Sequence, residues 1–381
     1  MASLAHQFEG DGSMTTNRDF AEIHTLSEII KIGYDALEEN ALTFLIGGAE
    51  SEMTLLRNRQ SLDALAFRPR VLREVLDIDM TTTFLGVDQR LPVFLAPIGG
   101  LTQMDPGGTL AAVQAGGEFG IMGCISSVAK PDLEEVRAGS DASAMFQIYV
   151  RDDDDWLLER LALAEKLNYQ AFCITTDTAY NGRHERRLLN GSVVPGQGLG
   201  GGLEFQRTLS WDTVDLVRKN TKMPIILKGI ATAEDAIMAR DHGVDVVYIS
   251  NHGGRQLDHG AGAIEVLPEV VAAVGADMDV IIDSGFMRGT DIVKAIALGA
   301  KSVGIGKLYC FGLSAGGPAA VVRMLELLEV EIKWAMGLLG VTSLDQLDPS
   351  YLRAAAPARP AGLTSAHPHI DIPNPTYLND G

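Results

Sequence analysis

Residues 248–260, YISNHGGRQLDHG, set an apolar run against a histidine, two glycines, an arginine and an aspartate. A histidine that closes such a run, His252, is suited to exchange a proton near neutral pH. Three residues on, Arg255 can hold an anion through two parallel hydrogen bonds. The plain alternative is a polar residue in a tight bend. Other apolar runs along the chain end in polar or small residues in the same way: Gly99, Ser126, Gln147 and Tyr149, Thr175 and Asp177, Lys228, Ser250, Asp283 and Lys307. Lys228, inside IILKGI, is costly to bury alone, so it needs an anionic partner; a salt bridge in the scaffold is the structural option. The glycines of DSGFMRGTD and GIGKLY, with Arg288 and Lys307, suit a phosphorylated ligand.

The elements that must carry these residues are legible as eight short runs: LPVFLAPIG, IMGCIS, AMFQIYV, AFCITTD, PIILKGI, VVYISN, VIIDSG and SVGIGK. Segments with helical spacing, such as AEDAIMARDHG and GTDIVKAIALGA, lie between them and mostly end at glycine. Eight buried strands alternating with helices predict an α/β fold, a closed (β/α)8 TIM barrel rather than an open doubly wound sheet. In such a barrel the chemistry sits at the C-terminal ends of the strands, where the residues above fall. Residues 1–22 read as a tail, in composition compatible with an expression remnant ahead of Met14. Residues 23–353 read as a single barrel domain with an N-terminal helical extension, and 354–381 as a Pro-rich tail extended over the surface or over a neighbouring subunit.

Composition narrows the ligands. Over 381 residues the formal net charge is −19 and the pI about 4.8, which argues against nucleic acid and anionic membrane surfaces and leaves small molecules. No apolar run approaches the ~20 uninterrupted residues of a membrane span. Cys124, Cys173 and Cys310 read as buried free thiols, which suits a reducing cytoplasm, and no metal site is expected. Gly196, Gly198 and Gly201 match G-x-G-x-x-G but follow no strand, so that stretch reads as a lid loop. The histidines of HPH (367–369) read as a solvated tail, His242 as a surface residue, and the acids of RDDDDW as a helix start.

SNHGGRQLD, together with ILKGI, FQIYV, TTDT, APIG and RGTDIVKAIALGA, resembles the FMN-dependent 2-hydroxy-acid oxidases and dehydrogenases over about residues 42–347. The resemblance implies an FMN-binding barrel that oxidises a 2-hydroxy acid to a 2-oxo acid, with oxygen or an electron-accepting protein or quinone as oxidant, in a homotetramer or larger assembly. It implies His252 as base, Asp177 as its orienting carboxylate, Arg255 as the carboxylate grip, Tyr149 beside the substrate hydroxyl and Lys228 by the flavin. It further implies flavin contacts from Pro97, Ile98, Gly99, Ser126, Gln147, Thr175 and Ser250. Asp283, Gly285, Gly306 and Lys307 fall at the ribityl and phosphate end. Gly99, where many relatives carry alanine, favours oxygen as the acceptor.

Several positions depart from the family pattern. Phe44 stands where a substrate-binding tyrosine is expected and His184 where a second arginine is expected, with Arg183 or Arg186 as candidate replacements. Val128 stands where a tryptophan occurs, leaving more room in the pocket. Met287 stands where a phosphate-binding arginine occurs, with Arg288 as its candidate replacement. These departures imply a substrate larger or less conventional than glycolate or lactate, and FMN held more loosely. They keep open an FMN dehydrogenase of an amino or phosphonate analogue, while a non-redox phosphate-binding barrel is the third reading.

Overall fold

The computed structural model describes residues 19–191, 204–362, 365–370 and 372. Eight parallel strands close into a barrel: β1 (Val93–Leu95), β2 (Gly123–Ser126), β3 (Ala144–Ile148), β4 (Phe172–Thr175), β5 (Ile225–Ile230), β6 (Val246–Ile249), β7 (Asp279–Ile282) and β8 (Ser302–Ile305), with β8 pairing back to β1. Each lies within one of the expected runs, except that β7 begins one residue earlier, at Asp279. Helices α1 (Gly108–Phe119), α2 (Leu133–Gly139), α3 (Asp154–Lys166), α4 (Trp211–Asn220), α5 (Ala233–Asp241), α6 (Ala263–Val274), α7 (Gly289–Ala297) and α8 (Lys307–Leu339) follow the strands in turn.

The strands read as unbroken apolar runs because both of their faces are buried, against helices outside and against one another inside. Their period of two still matters. Cys124, Met145, Cys173, Ile226, Tyr248 and Ile281 point into the barrel interior, while Ile125, Phe146, Ile174, Leu227, Ile249 and Ile282 pack toward the helices. Two residues beyond each inward apolar side chain the same face presents Ser126, Gln147, Thr175, Lys228, Ser250 and Asp283, all buried. One polar layer therefore lies above one apolar layer. A hairpin of Thr82–Phe84 and Val87–Gln89 closes the opposite end, where Phe84 joins the interior cluster and the Gln89 side chain accepts from the Met122 amide at 2.7 Å.

Three helices precede the barrel, Leu26–Ala36, Glu39–Ile46 and Met53–Asp63. The last is locked to the loop after β6. Asp258 accepts from the Ser51 hydroxyl (2.6 Å) and the Thr54 amide (2.8 Å) at its start, Asn58 and Asn251 exchange side-chain hydrogen bonds, and the Ala49 amide donates to the Gly254 carbonyl (2.8 Å). By length and composition α8 could cross a membrane, but it bends at Gly316–Gly317 ahead of Pro318, and 61% of its most apolar stretch is buried in the fold.

Beyond the barrel, Leu352–Ala354 pairs antiparallel with Leu65–Phe67. The expectation of a solvated HPH is overturned for its first histidine. His367 is fully buried, with Nδ1 3.0 Å from the Ser27 hydroxyl and 3.3 Å from Arg288 Nη1, because its ring fills the gap between the first N-terminal helix and the loop after β7. Burial, with the Arg288 charge beside it, pushes its pKa down to about 4. His369 is exposed. His242 sits at the end of α5, its ring stacked on Trp211 and its Nδ1 2.7 Å from Asp215, and Asp153 caps α3. Cys124, Cys173 and Cys310 are free and buried, and among the described residues no cluster of ligating side chains could hold a metal. The glycine-rich stretch 196–202 lies outside the described residues.

Candidate active site

The loop after β6 carries three successive residues with left-handed backbone, His252 (φ 59°), Gly253 (67°) and Gly254 (75°). The turn is fixed from several sides: the His252 amide donates to Ser250 Oγ (3.1 Å) and the Gly253 amide to Ser284 Oγ (3.0 Å). A Cβ on Gly254 would stand 2.5 Å from the Leu55 backbone, so no side chain fits where the loop meets the third N-terminal helix.

His252 lies between two partners. Its Nδ1 is 3.1 and 3.2 Å from the Asp177 carboxylate oxygens, and its Nε2 is 3.1 Å from the Tyr149 hydroxyl. A carboxylate only accepts, so Nδ1 carries a ring proton and Nε2 is turned to Tyr149. Asp177 reaches this position because β5 has a glycine beside it: a Cβ on Gly229 (φ 109°) would stand 2.8 Å from Asp177 Cβ. Burial tends to raise the Asp177 pKa, but His252 and Lys228 outweigh it and hold it below the usual carboxylate range. Burial lifts Tyr149 to about 12, with Lys228 opposing the shift, so its phenol stays protonated. Lys228 donates to Ser250 Oγ (3.0 Å); the nearby Asp177 and Asp283 carboxylates outweigh burial and raise its pKa.

Arg255 turns toward the N-terminal extension. Its Nη1 donates to the carbonyls of Phe44 (2.6 Å) and Gly47 (2.9 Å), and its guanidinium lies 4.8 Å from the centroid of the Phe44 ring. Phe44 thus supplies a stacking face for the cation in place of a hydroxyl. Burial, with Arg187 nearby, pulls the Arg255 pKa down to about 10, so it is charged at neutral pH. His184 lines the cavity with Nδ1 3.1 Å from the Gly48 carbonyl, and burial beside Arg255 pushes it to about 4, so it is neutral. Neither expected replacement takes its place. Arg183 is exposed and pairs with Glu185, and Arg186 is held by both Glu52 oxygens (2.9 and 2.6 Å). Arg187 also lines the cavity, buried in the short helix Glu185–Leu189 and 5.7 Å from the Phe44 centroid. Linear alignment at 184 misses it, although a position three residues later, one helical turn on, is the place to look.

These residues surround one cavity of about 1050 Å³, at the upper end of ligand-site sizes. Phe44, Pro97, Ile98, Gly99, Val128, Tyr149, Lys228, Asp283, Gly285, Met287, Gly306 and Lys307 line it. Ser126, Gln147, Thr175 and Ser250 sit in the buried layer beneath. There the Gln147 amide donates to Thr175 Oγ1 (2.7 Å), while its carbonyl oxygen has no protein partner. A buried acceptor of that kind awaits a donor from a ligand. The space beside Gly99 is taken by Val128, whose Cγ2 would stand 2.7 Å from a Cβ there.

At the other end Lys307, pushed down to about 7 by burial with Arg255 also opposing its charge, donates to the Ile46 carbonyl (3.3 Å). Arg288 does not replace Met287, for its side chain pairs with Glu331 (3.0 Å) and meets His367, away from the cavity. The unmatched Gln147 acceptor, the buried Lys228 and Lys307 at the other end of the cavity together fit FMN.

A barrel with a proton-transfer pair, a buried cation and such a ligand site at the same strand ends defines a flavin-dependent oxidoreductase. A family model described as FMN-dependent dehydrogenase matches residues 34–354. Glycolate oxidase of Spinacia oleracea is 35% identical over 355 residues, covering 87% of this chain and 96% of that one. L-lactate oxidase of a Nostoc strain is 34% identical over 354 residues, covering 86% and 97%. Among solved structures, mandelate oxidase with (S)-2-phenylpropionate aligns with a TM-score of 0.81 at 33% identity, covering 88% of this chain and 99% of that one. The chain belongs to the FMN-dependent dehydrogenase family.

Proposed function

We propose that the protein oxidises a 2-hydroxy acid, with a C2 substituent larger than that of glycolate or lactate, to the 2-oxo acid. The observation that carries this reading is His252 Nε2 presented to the cavity beside Tyr149, with Arg255 on the same loop. Arg255, with one nitrogen spent on backbone carbonyls, retains donors for the substrate carboxylate. His252 takes one proton at Nε2, and Asp177 stabilises the imidazolium that results. Tyr149, protonated throughout, donates toward the substrate oxygen. Lys228 would supply a fixed positive charge to the flavin. FMN, when bound, accepts the two electrons lost as the CH–OH group becomes C=O, and we take oxygen, reduced to hydrogen peroxide, as the final oxidant.

The small Val128 at the cavity wall supports a substrate bulkier than lactate. Anaerobic mixing of the flavin-loaded enzyme with a panel of 2-hydroxy acids tests the reading: flavin absorbance should bleach, and peroxide should form when air is admitted. A panel that leaves the flavin oxidised overturns it, and turnover of glycolate or lactate as fast as of bulkier acids overturns the size preference.

Self-association is proposed on a separate observation. Val330, Trp334 and Leu338, spaced by four along α8, are 41%, 69% and 77% exposed, an apolar stripe suited to burial between copies. Sedimentation at the monomer mass would overturn it.

A further inference from the structure

The end of the second N-terminal helix spends its carbonyls on two side chains of the cavity wall. Arg255 Nη1 donates to those of Phe44 and Gly47, and His184 Nδ1 meets the next one, Gly48, at 3.1 Å. A backbone carbonyl only accepts, so Nδ1 carries the His184 proton. Burial and the Arg255 charge beside it hold the ring at about 4, so it is neutral, and its other nitrogen, Nε2, offers only a lone pair. Among the described residues nothing pairs with that nitrogen. The substrate end therefore sets a donor and an acceptor side by side: the free edge of Arg255 and Nε2 of His184.

A lone pair so placed awaits a donor from the ligand. Its source follows by elimination. The C1 carboxylate, held by Arg255, only accepts, and against Nε2 it would set lone pair against lone pair. The C2 oxygen belongs to His252 and Tyr149. An ammonium is repelled by Arg255, which is charged at neutral pH. What remains is a neutral hydroxyl on the C2 substituent, and a hydroxyl on C3 is close enough to the carboxylate to meet a ring that adjoins the guanidinium.

We infer that the substrate is a 2,3-dihydroxy acid, with His184 Nε2 accepting from the C3 hydroxyl. This rests on the 2-hydroxy-acid reading above and names its substrate class. The reaction is unchanged: the same two electrons and two protons leave the CH–OH group at C2, the C3 hydroxyl keeps its hydrogen, and the product is a 3-hydroxy-2-oxo acid. A methyl in place of that hydroxyl leaves Nε2 without a donor, which corresponds to about 3- to 10-fold in kcat/KM.

The test compares 2,3-dihydroxypropanoate with 2-hydroxybutanoate, which carries a methyl where the first carries its C3 hydroxyl, at matched C2 configuration. Both have a C2 substituent larger than that of lactate. Anaerobic flavin reduction by each is followed in the wild-type holoenzyme and in His184→Gln and His184→Leu. The wild type should prefer the dihydroxy acid by about 3- to 10-fold in kcat/KM. His184→Gln, which keeps an acceptor, should retain part of that preference, and His184→Leu should bring the ratio to unity or below. A wild type that reduces with both acids equally, or prefers 2-hydroxybutanoate, overturns the inference. So does a His184→Leu enzyme that loses both activities in equal proportion, because the ring would then serve structure alone. Faster reduction by 2-hydroxybutanamide than by 2-hydroxybutanoate overturns it as well, since the donor would then sit on C1. Should His184→Leu fail to fold, the wild-type ratio and the His184→Gln ratio decide on their own. Flavin left oxidised by 2,3-dihydroxypropanoate but bleached by another 2-hydroxy acid overturns the inference alone, whereas flavin left oxidised by every 2-hydroxy acid overturns the parent reading with it.

Discussion

At the scale of single residues, the chemistry was the most legible part of the chain. His252, Asp177, Tyr149, Lys228 and Arg255 are distinctive types in distinctive strings, and the fold brings them to one cavity. What could not be read from the string was side-chain direction. Arg187 was invisible because a linear comparison stops at His184, whereas a helical turn carries the cation three residues on. Arg288 escapes a linear reading for the converse reason: Glu331 on α8 and His367 in the tail capture its side chain, and both are remote in sequence. Gly99 was read as a site of oxygen selectivity, but the structure adds a packing constraint, since a Cβ there would stand 2.7 Å from Val128 Cγ2. Gly99→Ala should therefore slow flavin reduction as well as alter the reaction with oxygen. Combining it with Val128→Ala should recover the reduction rate, a non-additive pair readable as a double-mutant cycle in stopped-flow traces. Additive losses would show that the clash is not the cause.

At the scale of elements, the eight strands were recoverable because each is an apolar run closed by polar residues, and the inward face repeats with period two. The loops after β7 and β8 were harder, since their charges depend on what packs above them. Lys307, at about 7 before its ligand arrives, is charged below that pH and increasingly neutral above it. Binding the FMN phosphate restores the charge, so above neutrality binding must take up a proton. The affinity of the apoprotein for FMN should fall by up to about tenfold per pH unit between pH 7 and 9. Flavin fluorescence titration would measure this, and Lys307→Met should bind more weakly at pH 6.5 with the slope removed. A wild-type affinity that is flat over this range would reject the role given to Lys307.

For the whole molecule, the barrel could be foreseen and the closure of its ends could not. The composition of the tail, rich in proline and small residues, carried no sign that His367 would be enclosed between the first N-terminal helix and the loop after β7. Its position has a consequence for stability. The folded chain holds His367 at about 4, against about 6.5 when unfolded, so the imidazole is neutral in both states above pH 6.5 and its contribution is then intact. As pH falls from 6.5 toward 4 the unfolded state gains the proton first, and stability declines by up to about 3 kcal/mol from this group. His184, also at about 4, acts in the same direction. Melting temperatures recorded across that range should drop in the wild type and drop less steeply in His367→Gln. Parallel curves for the two proteins would exclude this account.

The lock between the third N-terminal helix and the loop after β6 joins stretches about two hundred positions apart: Asn58 with Asn251, Ser51 and Thr54 with Asp258, Ala49 with Gly254. Phe44 comes just before one stretch and Arg255 lies inside the other, so substrate preference is inherited as a matched pair of distant segments. A chimera that swaps either segment alone would tear the seam, while one that transplants both would carry the preference with it.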